Sequence, residues 1–462
     1  MLRNEMRYIL MKKLLNVIIF FGLLYGSILQ AEDFGDIREL LPNNVSSQRI
    51  ENDIRKLVSF GTRHTLSETK SNQRGIGAAR RWIESEFNKI SSECDDCLEI
   101  IRVTDTISGQ NRLPFPTEIV NIIAIQWGEI DPNRMVLMSG DIDSRVSDPM
   151  DYTSDSPGAN DNASGMAGVI EAARVLTKLK FPGTIIYAGL SGEEQGLFGG
   201  EIVARYALEN NWEIKAVLNN DMIGNITGID GVTDNSTARV FSEGTRYLET
   251  KEEATQRRYQ GGEVDSPSRN IARYIDNMAD RFINNLDVIM IYRLDRFGRG
   301  GHHRPFNEAG IPGVRIMETH EHYHRQHQDI RTEDGIHYGD VISGVNFDYA
   351  KKLTSLNVVS LAGMAAAPPF PSNVEIFGAV SADTTLRWTI PEKEISKNLK
   401  GYKIYWRLTS NSEWTDSRYV GLVDNFTLEN LVIDNYLFGV ASVSDEGYES
   451  PVVYPGKMGS FD

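Results

Sequence analysis

Over residues 100–364 the sequence alternates short runs of β-forming residues with longer runs of helical periodicity, and this pattern constrains the fold most. It is typical of α/β proteins, in which helices cover a largely parallel sheet. We therefore predict an α/β fold with a mixed central sheet and helices on both faces. The predicted strands are residues 100–103, 118–126, 134–138, 184–188, 216–218 and 314–317, and the predicted helices are residues 76–90 and 349–364, with two more after Asp161 and Gly196.

Residues 225–300 interrupt the alternation. They are polar and punctuated by glycine, with one helical stretch at residues 271–282. We predict an insertion that shapes one side of a ligand cleft.

The chain beyond residue 365 has a different character. Residues 366–371 are rich in alanine and proline, which is typical of a linker. Residues 372–458 show short alternating runs separated by turn residues, a pattern that predicts an all-β sandwich. With Trp388, Tyr402 and Tyr436 on these runs, the segment resembles a fibronectin type III domain in which the three aromatic side chains would belong to the core.

Length and charge limit the classes of function. A chain of 462 residues is long enough for two domains. Its formal net charge of −16 would repel nucleic acid and anionic membrane surfaces. We expect neither as the main partner.

The first 31 residues have the order of a secretory signal peptide. Lys12 and Lys13 precede an apolar run at residues 14–29, and Ala31 offers a small residue for cleavage. We predict a signal peptide over residues 1–31 and export to the periplasm or the extracellular space. After cleavage no stable membrane insertion is expected, and an uncleaved anchor is the alternative.

The chain has two cysteines, Cys94 and Cys97. A zinc site made of cysteines normally needs a second pair, which the chain does not have. In an exported chain this spacing predicts a local disulfide.

Five carboxylates lie at or near the ends of the predicted elements. The carboxyl ends of parallel strands meet at one edge of a sheet, so these side chains can enter one cleft. Clustered carboxylates repel one another unless a cation neutralises them, which predicts a metal site. Each also has an ordinary explanation, since an aspartate before a helix often caps it and paired glutamates are often exposed. The five are Asp141, Asp161, Glu193, Glu194 and Asp221.

Five motifs in a fixed order are more specific than any single carboxylate. On these motifs, residues 46–365 resemble metallopeptidase family 28, the zinc-dependent exopeptidases with the aminopeptidase fold. The motifs are GDIDS at 140–144, GANDNASG at 158–165, GEEQGLFG at 192–199, NDMIG at 220–224, and HRPF at 303–306 running to GIP at 310–312.

The resemblance implies a metallo-aminopeptidase that removes N-terminal residues from a peptide or protein substrate. It implies two divalent metal ions, with zinc as the expected metal. Asp161 would bridge the ions, and Glu194 and Asp221 would each bind one of them. Glu193 would be the general base that deprotonates a metal-held water molecule.

Two further roles follow from the same resemblance. The last metal ligand would be a histidine shortly before an aspartate, for which His327 fits better than His324. Asp143 would hold a metal ligand in place through a hydrogen bond.

One position departs from the family pattern. Asp141 stands where the family has a metal-binding histidine, so one ion would face only the oxygens of Asp141, Asp161 and Asp221. That set suits Mn²⁺, Mg²⁺ or Ca²⁺ better than zinc. His302 stands where the family tends to have an acid, so the two exchanges could compensate in space. The outcomes left open are two ions with an altered preference, one ion, or an inactive site.

Two other functions stay open at this point. A glutaminyl cyclase shares the fold but uses one zinc ion. A catalytically silent or metal-altered relative would bind peptides without hydrolysing them.

Overall fold

The computed structural model describes residues 36–461. The predicted signal peptide lies outside this range and stays a prediction. Residues 36–40 belong to one compact unit and residues 41–461 to a second. In the first unit, the Asp36 carboxylate accepts a hydrogen bond from the backbone N–H of Arg38 and caps the short 3₁₀ helix Ile37–Glu39.

The second unit is built on an eight-stranded mixed sheet with the order β1-β2-β4-β3-β5-β8-β6-β7. Its central strands β4, β3, β5 and β8 run parallel to one another, and β2 and β6 flank them in antiparallel pairing. The predicted α/β class and mixed sheet are therefore confirmed. The strands are β1 Glu99–Ile107, β2 Thr117–Gln126, β3 Asp131–Asp141, β4 Gly183–Leu190, β5 Glu213–Asn220, β6 Thr237–Ser242, β7 Asp287–Ile291 and β8 Gly313–Glu318.

Helices cover both faces of this sheet because side chains alternate along each strand. On β3, Val136 and Met138 pack into the larger apolar core, and Met135 and Leu137 pack into the smaller one. Helices α2, α3, α4, α8 and α10 close the larger core, and α6 and α9 close the smaller. The helices are α1 Leu41–Asn44, α2 Ser47–Val58, α3 Ile76–Ser92, α4 Ala163–Leu176, α5 Glu193–Gly196, α6 Phe198–Glu209, α7 Lys251–Gln260, α8 Pro267–Phe282, α9 His303–Glu308 and α10 Phe347–Ala366.

Residues 225–300 are more than the insertion that we predicted. They contribute two strands of the main sheet, β6 and β7, and the largely buried helix α8. The sequence pattern missed both strands because they are short and carry polar or exposed residues, such as Arg239 and Asp287, among the apolar ones. This segment therefore extends the sheet at one edge.

The C-terminal module is all-β, with two three-stranded antiparallel sheets of orders β11-β12-β15 and β14-β13-β16. Trp388 and Tyr402 are buried in its core with ring centroids 5.1 Å apart, as predicted, whereas Tyr436 is half-buried. The fibronectin type III assignment and the exact boundaries stay predictions. The strands are β11 Ser372–Phe377, β12 Thr384–Thr389, β13 Leu399–Leu408, β14 Asp416–Gly421, β15 Asn425–Leu428 and β16 Tyr436–Ser444, and a small hairpin before them pairs β9 Arg331–Glu333 with β10 Ile336–Tyr338.

Buried polar contacts join this module to the α/β unit. Asp265, just before α8, accepts hydrogen bonds from Arg273 and from Arg407 of β13, and all three side chains are almost completely buried.

Cys94 and Cys97 form the predicted disulfide just after α3. None of the helices in residues 36–461 combines the length and apolarity needed to cross a bilayer.

Candidate active site

The predicted site residues gather at the carboxyl edge of the central strands. Asp141 is the last residue of β3, Glu193 and Glu194 follow β4, and Asp221 follows β5. They lie in or beside a cleft of about 840 Å³. This is the edge at which open α/β sheets bind ligands, because the loops after neighbouring parallel strands converge there.

The loop before α4 leaves the Asp161 carboxylate free for another role. Asn162, rather than Asp161, caps the helix, because its side chain accepts a hydrogen bond from the N–H of Gly165. Gly165 is required here, since a Cβ atom at this position would lie 2.3 Å from the carbonyl oxygen of Asn220. The Asp340 carboxylate accepts from the backbone N–H of Asp161 at 2.7 Å and fixes the loop from behind.

Glu193 and Glu194 begin the four-residue helix α5, and Asp143 anchors that helix. The two Asp143 oxygens accept the backbone N–H groups of Glu193 at 3.2 Å and Glu194 at 3.1 Å. The Thr65 hydroxyl donates to Asp143 at 3.0 Å. Burial and repulsion from Glu194 raise the pKa of Asp143, and these N–H donors oppose the shift. Asp143 therefore orients both glutamates.

Asp161, Glu194 and His327 surround one point and form the candidate metal centre. His327 Nε2 lies 2.9 Å from an Asp161 oxygen and 3.0 Å from a Glu194 oxygen. One ligand atom from each residue falls within 4.8 Å of the other two. Two carboxylates and one imidazole are a donor set that binds zinc. The residues therefore fit a divalent metal ion.

Arg145 contacts two members of this centre from the side away from Asp161. Its guanidinium donates to Glu194 Oε2 at 2.7 Å and to His327 Nδ1 at 2.6 Å. An arginine can only donate, so His327 Nδ1 accepts and Nε2 carries the proton that faces the carboxylates. Burial lowers the pKa of His327, but Glu194 and Asp161 outweigh it and raise that pKa to about 9, which favours a ring protonated on both nitrogens. The contact of Nδ1 with the Arg145 guanidinium opposes that second proton. With either one or two ring protons, a metal ion must displace the proton on Nε2.

The other predicted ligands do not join this centre. Asp141 Oδ1 lies 2.6 Å from His302 Nδ1, and Asp141 Oδ2 accepts from the Asn162 amide at 2.6 Å. Burial lowers the pKa of His302 to about 4, and burial together with repulsion from Asp143 raises the pKa of Asp141. Asp221 is paired with the guanidinium of Arg315 at 2.7 Å. His324 is also absent from the group.

Comparison with known proteins agrees with these motifs and this geometry. Residues 121–343 match the model of peptidase family M28. A protein named "probable zinc metalloprotease" from Leptosphaeria maculans is 42% identical over 418 residues, which are 90% of this chain and 96% of that protein. A protein of the same name from Pyricularia oryzae is 40% identical over 416 residues, 89% of this chain and 82% of that one. The chain belongs to peptidase family M28.

The family assignment agrees with the architecture of solved structures. The LapA aminopeptidase of Legionella pneumophila superposes with a TM-score of 0.50 at 20% identity, covering 73% of this chain and 78% of that one. LapB from the same organism has a TM-score of 0.50 at 16% identity, covering 72% and 76%. At these identities the likeness concerns the fold alone. The M28 fold is therefore shared by the α/β part of this chain.

Glu193 has the surroundings of a general base. It lines the cleft beside the metal centre and is half-buried. Burial, followed by repulsion from Glu194 and Asp221, raises the pKa of Glu193 well above its ordinary value. A carboxyl group in these surroundings holds a proton more readily than an exposed glutamate does, which suits a group that takes up and returns a proton.

Strained backbone surrounds the site. Leu197 after α5, Met222 after Asp221 and His327 itself have φ values of 64°, 63° and 51°, in the left-handed region. Residues other than glycine rarely adopt this conformation, and those that do cluster at functional sites. The strain here coincides with three of the loops that present site residues.

Sequence reasoning missed several polar side chains that complete the site. Arg145, Arg315 and Asp340 contact the predicted residues directly, yet none belongs to a recognised motif. Glu318 is a fourth, since it accepts from the Asn160 amide at 2.9 Å at the end of β8. Arg315 did carry a signal, because it interrupts the apolar run of the predicted strand 314–317.

Proposed function

We propose that the chain is an exported, zinc-dependent aminopeptidase that hydrolyses the N-terminal peptide bond of peptides or proteins. One observation carries this proposal. Asp161, Glu194 and His327 meet at a single point, with the Glu193 carboxyl group beside it in an open cleft. Such an arrangement provides a metal position and a base together, which is what metal-assisted hydrolysis needs.

The residues divide the work between binding and proton transfer. Asp161, Glu194 and His327 would hold a zinc ion, which would supply Lewis-acid chemistry to polarise a carbonyl group and make water more acidic. The Glu193 carboxylate takes a proton from the attacking water and returns it to the nitrogen of the leaving amine. Asp143 holds the backbone of Glu193 and Glu194, so the base and a metal ligand keep a fixed separation.

Two features support the finer parts of the proposal. The family motifs are those of aminopeptidase-like enzymes, and the cleft is lined by Asp161, a carboxylate without an arginine within ion-pair distance among residues 36–461, which could bind a protonated α-amino group. Export is supported by the signal-like order of residues 1–31 and by the disulfide of Cys94 and Cys97, a bond favoured outside the reducing cytosol.

The test compares Glu193→Gln with the wild-type chain on a panel of aminoacyl 4-nitroanilides. Removal of a general base is expected to lower kcat by about 10²- to 10⁴-fold. Zinc content should stay the same, because Glu193 is not a ligand. Glu209→Gln, at the exposed end of α6, is the matched loss of one negative charge and should be fully active. N-acetylated substrates should resist cleavage.

Other outcomes identify the alternatives. A wild-type chain that binds zinc but cleaves no free or blocked peptide would be a binding protein. The single three-ligand centre would also suit a glutaminyl cyclase, so dansylated peptides that begin with glutamine belong in the panel. Cyclisation of these peptides without aminopeptidase activity would replace our proposal with that function.

A further inference from the structure

At the second predicted metal position, Asp221 is paired with one guanidinium and Asp141 with neutral hydrogen-bonding side chains. The family resemblance implies an ion among Asp141, Asp161 and Asp221. Among residues 36–461, these three do not form a group of ligand atoms close enough to share an ion, whereas Asp161, Glu194 and His327 do. The residues therefore fit the first ion and do not fit the second.

Arg315 lies at the carboxylate that would hold the second ion. Its Nη2 atom is 2.7 Å from Asp221 Oδ2, and the side chains are 0% and 4% exposed. In a cleft that excludes water to this degree, a full positive charge beside Asp221 repels any further cation. The ion pair therefore satisfies Asp221 without metal.

The guanidinium cannot easily withdraw to make room. Arg315 is in the middle of β8, paired with Asn219 of β5, so the strand fixes its backbone. Its Nη1 donates to both oxygens of Asp295 at 3.2 Å and to the carbonyl of Gly300 at 2.7 Å. Burial lowers its pKa, but Asp221 and Asp295 outweigh burial and keep the group charged.

Both carboxylate oxygens of Asp141 also have partners within the protein. One of its oxygens contacts His302 Nδ1 and the other accepts from Asn162, each at 2.6 Å. Within the described residues, Asp141 supplies the only carboxylate oxygen within 4 Å of a His302 ring nitrogen. His302 therefore orients Asp141 through Nδ1.

We propose that the chain binds one catalytic metal ion, at Asp161, Glu194 and His327, and that Arg315 supplies the positive charge that a second ion would bring to Asp221. This inference rests on the proposed function, because that function requires the first ion. It makes Arg315 a positioning residue for Asp221 and for the neighbouring wall of the cleft.

The decisive measurement is zinc stoichiometry by mass spectrometry after saturation with zinc and desalting. We expect one equivalent in the wild-type chain and one in Asp221→Asn, with less than a threefold change in zinc Kd. His327→Ala should reduce the content to below one tenth of an equivalent. These readouts do not depend on activity.

The arginine has its own test. Arg315→Ala frees Asp221 and should admit a second, weaker zinc equivalent, whereas Arg315→Lys keeps a positive charge and should stay at one. Folding of each variant is checked by circular dichroism. If Arg315→Ala does not fold, Arg315→Gln, which removes the charge and keeps more of the side chain, takes its place with the same expected second equivalent.

The outcomes separate this inference from the proposed function. Two equivalents in the wild-type chain, or loss of the single equivalent in Asp221→Asn, would overturn the one-ion assignment and leave the hydrolase proposal standing. Folded Arg315→Ala that stays at one equivalent would overturn the role of Arg315. No bound zinc in any form of the chain would overturn the proposed function itself.

Discussion

Replacement of Asp143 by asparagine tests whether one buried carboxylate positions both the base and a metal ligand. In the wild-type chain its oxygens accept from the N–H groups of Glu193 and Glu194 and from the Thr65 hydroxyl. Asparagine keeps one acceptor oxygen and presents an NH₂ group to the other donors. At least one N–H at the start of α5 then faces another donor.

The magnitude follows from these contacts. An unsatisfied buried donor costs about 1–3 kcal/mol, and the loss of charge from the remaining hydrogen bonds costs roughly 1 kcal/mol more. Asp143→Asn should therefore lower the free energy of unfolding by about 2–4 kcal/mol. If about half of this loss appears as displacement of Glu193 and Glu194, kcat/KM should fall about 5- to 30-fold, since 1.36 kcal/mol corresponds to a factor of ten. Zinc affinity should weaken by about the same factor.

The assays are urea unfolding, aminoacyl nitroanilide hydrolysis and zinc competition with a chromophoric chelator. Thr65→Val is the matched control, because it removes one neutral donor to Asp143 and leaves both backbone hydrogen bonds in place. It should cost about 1 kcal/mol in stability and little activity. Wild-type kcat/KM and zinc affinity in Asp143→Asn would refute the positioning argument, even if stability fell.

Three further changes have expected results. Asp265→Asn weakens the buried ion pair with Arg407 and should lower the free energy of unfolding by about 3–5 kcal/mol. Urea unfolding should show one cooperative transition for both parts of the chain. A smaller loss would mean that this ion pair does not stabilise the fold. Burial raises the pKa of Glu243 from 4.5 to about 8, so the folded state keeps a proton that the unfolded chain releases, and stability falls as pH rises through that window. Glu243→Gln should therefore gain stability relative to wild type from about pH 5 to about pH 8, and a constant difference would contradict this. Serine at both Cys94 and Cys97 should cost no more than about 2 kcal/mol, because the closed loop is short, and kcat/KM should not change.

The fold class and part of the site could be predicted because they depend on local patterns. Apolar runs of two different periods locate strands and helices, and residues just beyond the strands must meet at one edge. This logic brings Asp161 and Glu194 together from positions 33 residues apart in the sequence. It could not decide whether Asp161 caps α4, because aspartate and asparagine are equally good caps. The structure shows that Asn162 takes that role.

The remaining partners could not be predicted because their contacts join distant parts of the chain. Arg315 meets Asp221 across two adjacent strands, and Asp340 reaches the Asp161 loop from a segment 179 residues away. No local pattern encodes which of many arginines or aspartates faces a given carboxylate. The edge strand β7 failed for a related reason, since an edge strand needs only part of an apolar face.

The prediction that clustered carboxylates require metal ions needs a correction, because arginines also neutralise carboxylates at this site. Arg145 pairs with one oxygen of Glu194, and Arg315 pairs with Asp221. Part of the negative charge is thus neutralised by guanidinium groups, so the number of carboxylates does not give the number of ions. Asp161 differs, because its close ionic partner among the described residues is His327, whose Nε2 proton a metal ion can displace. The position of the ion is therefore set by the carboxylate that lacks an arginine, and this assigns Asp161 as the residue on which metal binding depends most.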